Sequence, residues 1–171
     1  MKIDTIFVGY LYALHYDDEA DNELDRLLEE WFDVNKLYQF ANNNKIPNSE
    51  QFVKERLNDA EQFDNAILEI EDVNDKLNLF FQTLDDNETH VGILSLQKAK
   101  FKKNILRFYA IRIDDNLFLI TGGAIKITNR MEEHPDTRNE LRKINYAKSW
   151  LQNKGIFDND SFYEFINEQN G

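Results

Sequence analysis

A chain of 171 residues, 42% apolar and 13% aromatic, is long enough to bury a core and predicts one domain spanning 1–171. Two prolines and six glycines exclude a linker-rich or low-complexity protein, and the absence of cysteine excludes disulfides, a thiol nucleophile and cysteine-held zinc. The net charge of −12 argues against a nucleic-acid partner, because phosphates are bound through Lys and Arg. That total hides an asymmetry. Residues 1–94 carry 7 basic and 22 acidic side chains, residues 95–154 carry 13 and 6, and residues 155–171 carry none and 4, so the three parts stand at −15, +7 and −4. Either the acidic part neutralises the basic part inside one fold, or the basic block meets a local anionic partner.

The first predicted strand is Ile3 to Tyr16, within a leading segment 1–16, with Gly9 as a possible bulge. Its apolar run, Ile6 to Leu14, is too short to span a bilayer and is not followed by a signal-peptide cleavage pattern, which predicts a cytoplasmic protein with no membrane partner. An acidic helical segment follows over 17–85. Leu24, Leu27, Leu28, Trp31 and Tyr38 recur at helical spacing to about Asn42. Asn48 and Gln51 resemble a capping box for a second helix that buries Val53, Leu57, Ala60, Phe63 and Ile67. Asp72 is expected to cap a third, through Val73, Leu77, Phe80, Phe81 and Leu84.

Sheet signals dominate 86–155. After a turn at 85–89, Val91 to Leu96 reads as a strand. Lys98, Lys100, Lys102 and Lys103 around Phe101 suit either an edge strand guarded against aggregation or a phosphate-contacting loop. The clearest hairpin comes next, Ile105 to Ile113 and Leu117 to Thr128 around Asp114, Asp115 and Asn116. Gly122-Gly123 inside the second strand suggests a bulge. Thr137 and Glu140 form a capping-box pattern after Pro135, opening a helix that buries Leu141, Ile144, Ala147 and Leu151 and ends at Gly155. In the tail, 156–171, Asp158 to Ser161 caps a last turn with Phe162, Phe165 and Ile166. The expected architecture is α+β, an antiparallel sheet with helices mostly on one side.

The chemistry centres on the hairpin. Charged groups are costly in a sheet core, so Arg107, Tyr109, Arg112, Lys126 and Thr128 should face a site or solvent. His15, His90 and His134 are scattered without metal-ligand spacing, and no Gly-x-Ser-x-Gly turn exists; no metal or cofactor is expected. RNA cleavage without a metal needs cations to stabilise the charge that builds on phosphorus, with a base and an acid to move protons. Arg107 and Lys126 supply the cations. Tyr109 serves as base or acid only if nearby cations lower its pKa; it could instead stack on a splayed base, or be a plain strand tyrosine. A two-residue turn places Lys126 on the face of Arg107 and Tyr109, whereas a three-residue turn does so only with a bulge at the glycine pair; Arg112 lies on the other face.

The pieces Leu106-Arg107-Phe108-Tyr109, Leu117 to Ile120, Gly122-Gly123-Ala124-Ile125-Lys126, Met131 to Thr137 and Glu140-Leu141 make the hairpin resemble the RelE/HigB-like toxins of bacterial toxin-antitoxin systems. The match covers about 50 residues, roughly 100 to 151, and departs from the family where Gly-Gly replaces Gly-Phe, where Ile125 precedes the lysine, and in the long acidic helical segment. The resemblance implies a RelE-like fold and a metal-independent, ribosome-dependent mRNA interferase held by an antitoxin protein. It implies that Arg107 and Lys126 stabilise the scissile phosphate while Tyr109 stacks or handles a proton. Lys98, Lys100, Lys102, Lys103, Arg112, Thr128 and Arg130 are the candidate RNA or ribosome contacts. The alternative is a non-catalytic interaction module on the same scaffold, its acidic helices binding a basic partner.

Overall fold

The computed structural model describes residues 1–72, 77–84 and 93–171. In chain order the elements are β1 (Lys2–Phe7), β2 (Leu11–His15), α1 (Glu23–Trp31), α2 (Val34–Asn43), α3 (Ser49–Asp72), α4 (Leu77–Phe80), β3 (Phe81–Thr83), β4 (Ser95–Ala99), β5 (Leu106–Asp114), β6 (Leu117–Ile125), a 3₁₀ turn (Met131–Glu133), α5 (Pro135–Asn153) and α6 (Asn159–Asn170). The class is α+β. Among the described residues six strands form one sheet in the order β1-β2-β6-β5-β4-β3.

The sheet departs from the expected antiparallel one at a single seam, since β2 runs parallel to β6 while every other neighbouring pair is antiparallel. The helices also depart from the expected one-sided arrangement. One apolar core joins α1, α2 and α3 to the sheet face of Leu11, Leu106, Phe108, Ala110, Phe118 and Ile120. A second joins α5 and α6 to the opposite face, built on Ile3, Tyr12, Tyr109, Ile111, Ile113 and Leu119. Burial on both sides explains why β6 is buried along its whole length and reads as a continuous apolar run rather than an alternating one.

Several local expectations shift for identifiable reasons. The single N-terminal strand is a hairpin: Gly9 takes φ 97° in its turn, a conformation open to glycine at little cost. The helix expected over 24–42 divides at Asp33, whose carboxylate accepts the Asn35 and Lys36 N–H groups and starts α2. Asn48 does accept the Gln51 N–H. Phe81, placed in a third helix by periodicity, opens β3 instead, and Val73 lies outside the described residues. Of the strand expected at 91–96, residues 91 and 92 lie outside them as well, and the observed strand begins at Ser95. Because β4 pairs with β3 on one side and β5 on the other, its Lys98 does not guard a sheet edge, and Lys100, Lys102 and Lys103 follow the strand rather than lying in it.

At α5 the N-cap is His134 rather than Thr137. Its Nδ1 accepts the Asp136 N–H at 3.0 Å, which leaves Nε2 to donate to Asn44 Oδ1 at 2.7 Å and ties the helix start to the end of α2. Thr137 lies one turn in and donates to the Met131 carbonyl at 2.6 Å. Gly155, φ 74°, follows the helix end as expected, and Asp158 caps α6 in a reciprocal pair with Ser161.

Candidate functional site

Two polar regions flank the C-terminal half of β6. The first is the hairpin of β5 and β6. Asp114 pairs with Leu117, so the turn is the two-residue Asp115-Asn116, and Asn116 takes φ 53°. Register shifts between Arg112 and Asp114 and between Tyr109 and Ala110 offset one another, and Leu106 to Tyr109 pair with Ile125 to Gly122 in the original phase. The second shift leaves Thr121 as the extra residue of a bulge, one position before the glycine pair. Its hydroxyl donates to the Tyr109 carbonyl at 3.3 Å, and its carbonyl accepts the Tyr16 hydroxyl at 2.8 Å. Arg107 stands opposite Ala124, and Lys126, two residues on, keeps to the same side.

Lys126 donates to the Asn129 carbonyl at 2.7 Å. Partial burial pulls its ammonium below the usual lysine range, and the charges of Arg107, Lys98 and Lys100 pull it further, with Glu133 opposing. Arg107 donates to the Asn104 and Leu106 carbonyls at 2.6 and 2.9 Å, both neutral acceptors, so its charge is not cancelled by a hydrogen-bonded carboxylate. Burial likewise pulls the Arg107 guanidinium down. Four of the sequence-predicted cations, Lys98, Lys100, Arg107 and Lys126, therefore act on one place.

The others do not join them. Arg112 lies at the far end of β5, where it donates to Asp115 at 2.9 Å. Lys102 and Lys103 are exposed in the turn after β4. Thr128 donates to the Arg130 carbonyl at 2.8 Å, and Arg130 is exposed on the same loop.

Tyr109 requires a correction. It is 1% exposed, packed under α5, and its hydroxyl has no hydrogen-bond partner among the described residues. Burial drives its pKa upward, and the nearby Arg107 charge offsets only part of that. The expected lowering is reversed, so in this conformation the side chain neither takes up a proton as phenolate nor offers its ring to a splayed base.

The second region is one the sequence reading did not reach. Pairing of β2 with β6 ends at Ala13 and Ile120, so where the two parallel strands part, the stretch from Thr121 onward has β5 as its strand partner, and the Tyr16 hydroxyl bonds the Thr121 carbonyl. A cleft of about 490 Å³ opens there, walled by α1, α2, α5 and Tyr16, with Gly123, Ala124 and Ile125 as its floor. At its inner end lies a buried ion network. Glu23, 0% exposed, accepts Arg26 Nη2 on Oε1 at 3.0 Å and Arg26 Nε on Oε2, and the same Oε1 accepts Lys143 Nζ. Lys143 also donates to Glu140 at 3.1 Å and lies 4.9 Å from the Tyr16 ring centre. Gly122 makes this possible, because a Cβ there would collide with the Glu140 carboxylate.

Although both carboxylates share Lys143, they titrate in opposite directions. Burial pushes Glu23 up, but the Arg26 hydrogen bonds and the Lys143 charge outweigh it and hold the carboxyl below its usual range. Glu140 has no arginine bonded to it and one oxygen without a partner, so burial prevails and raises it to about 7. Burial also raises Tyr16, with the two glutamates adding to it. A buried carboxyl titrating near neutrality beside a cleft is a feature of sites that move protons, though a purely structural ion network produces it too.

Among the described residues no group of His, Asp and Glu could hold a metal ion. His15 bridges Asp4 and the Glu19 carbonyl, His134 caps α5, and His90 lies outside the described residues. No helix among them is long and apolar enough to cross a membrane. No family model matches the chain, and neither a curated protein nor a solved structure matches it.

Proposed function

We propose that the protein binds RNA on the Arg107–Lys126 face and acts in the cytoplasm as the toxin of a toxin-antitoxin pair, a metal-independent mRNA interferase on a RelE-like scaffold, with the ribosome supplying the message. The observation that carries this reading is the gathering of Lys98, Lys100 and Arg107 around Lys126, whose ammonium is lowered first by partial burial and then by those three charges, in a protein of net charge −12. Like charges repel, and an arrangement that holds them together is stabilised by a bound polyanion such as a phosphodiester. On cleavage, Arg107 and Lys126 stabilise the negative charge that develops as the 2′-oxygen attacks phosphorus. Tyr109 is left out of the proton transfers, which fall to water or to groups of the ribosomal complex.

One observation favours the alternative, a non-catalytic interaction module: Tyr109 is buried, and the two carboxylates that act on the cluster, Glu133 on Lys126 and Asp59 on Arg107, are already bonded to the Arg130 N–H and to Arg56. Induced expression in a bacterial host separates the two. The interferase reading expects growth arrest with a fragmented reporter message, both abolished in a folded Arg107→Ala/Lys126→Ala variant. Normal growth with intact message from soluble protein would leave the interaction module.

A further inference from the structure

The outward face of α5 is basic, and the loop that leads into this helix starts at Lys126. Arg138, Arg142 and Tyr146 step along it at intervals of four residues, about 6 Å of rise each, and all three are exposed, Tyr146 at 63%. Among the described residues Arg142 makes no hydrogen bond or ion pair, and Arg138 makes one long bond, 3.4 Å, to the Glu132 carbonyl. Between 137 and 154 the only carboxylate is Glu140, turned inward against Gly122. The loop from β6 to α5 connects the two regions, with Arg130 exposed on it, Lys126 bonded to the Asn129 carbonyl and Arg138 to the Glu132 carbonyl. Glu132, Glu133 and Asp136 are exposed on that loop and the first turn, with the Glu133 carboxylate taken by the Arg130 N–H.

We propose that this face of α5 is a second RNA-contacting surface that holds single-stranded RNA beyond the Arg107–Lys126 cluster, Arg138 and Arg142 taking successive phosphates and Tyr146 stacking on an unpaired base. The inference rests on the RNA-binding reading above and extends it by naming the form of RNA held. Charge complementarity selects a polyanion, and an exposed tyrosine one turn beyond two arginines that make no ion pair among the described residues selects a strand with free base faces, since a paired base offers none.

Fluorescence anisotropy with a labelled 12-nucleotide single-stranded RNA and the full chain, across a salt series, tests it. In Arg138→Gln/Arg142→Gln the slope of log K against log salt should fall by about 1.4, at about 0.7 per phosphate. Tyr146→Ala should weaken binding about tenfold. Lys45→Gln/Lys54→Gln, removing two exposed charges from α2–α3, should change neither. If the α5 variants behave as this control while Arg107→Ala/Lys126→Ala loses binding, the α5 surface is refuted and the RNA-binding reading stands. If the unmodified protein binds no RNA, both fall.

Discussion

Lys143 and Lys126 both extend an ammonium beside the same half of β6, yet their surroundings are opposite. Lys143 is held between two carboxylates, Glu23 and Glu140, in a network closed by Arg26. Lys126 has a backbone carbonyl for a partner and three further cations for neighbours. In the first region charge is matched inside the protein, so its energy is spent on the fold and on setting the titration of Glu140. In the second, Arg107 and Lys126 hydrogen-bond to backbone carbonyls, Asp59 and Glu133 offset only part of their charge, and the remainder is available to a partner from outside. Buried charge therefore does not by itself mark the binding face; the sign of the local imbalance does.

Breaking the matched region should cost the most stability. Glu23→Gln leaves Arg26 and Lys143 facing a neutral amide, and we expect a loss of about 3–4 kcal/mol in chemical denaturation. It should also lower the Glu140 carboxyl from about 7, because Lys143 then serves Glu140 alone and the Glu23 charge is gone; carboxyl ¹³C titration reads this shift. An unchanged Glu140 titration would mean that the two carboxylates are not coupled through Lys143.

A slightly smaller effect is expected from pH. The folded protein binds the Glu140 proton more tightly than the unfolded chain, whose carboxyl titrates near 4.5. This group's contribution is therefore most favourable below about pH 4.5, declines as pH rises to about 7 and is level above that. The decline is about 3 kcal/mol at 1.36 kcal/mol per unit. Glu140→Gln should flatten this part of the stability profile, and a profile as steep as that of the unmodified protein would refute the assignment.

The unmatched region should respond in the opposite sense. Arg107→Ala/Lys126→Ala is expected to cost about 1–2 kcal/mol, since hydrogen bonds to the Asn104, Leu106 and Asn129 carbonyls are lost but no carboxylate bonded to them is stranded, while RNA affinity falls at least about tenfold and the salt slope drops by about 1.4. The smallest effect is reserved for Tyr109→Phe. Its hydroxyl is buried without a partner, so removing it should leave stability unchanged or raise it by about 1 kcal/mol, with message cleavage intact. Abolished cleavage in a stable Tyr109→Phe protein would return the tyrosine to the chemistry.

The unmatched region was legible in the sequence because it is local. Strand alternation and a two-residue turn suffice to put Arg107 and Lys126 on one face, and both lie in one hairpin. The matched region was not, because every link in it is long-range. Glu140 falls three residues after Thr137 and reads as a capping partner; that it turns inward depends on Gly122, 18 residues earlier on another element. Glu23 does not stand out among the acidic residues of the segment 17–85, and only the docking of both α1 and α5 on β6 brings Lys143 to it. The parallel seam between β2 and β6 joins segments about 100 residues apart, for which periodicity carries no signal. Tyr109 was misjudged for a related reason: alternation places it on the face of Arg107, but the helix that covers that face is a tertiary fact.

The central claim is that the Arg107–Lys126 cluster is where an RNA phosphate binds. ¹³C-lysine NMR of the Lys126 side chain, titrated with pH in the free protein and with saturating single-stranded RNA, measures this at the atom concerned. The account predicts a pKa below the usual lysine range in the free protein and a clear rise on RNA binding, as a phosphate offsets the charges of Arg107, Lys98 and Lys100. A Lys126 titration that RNA does not move, while the RNA is demonstrably bound, would contradict it.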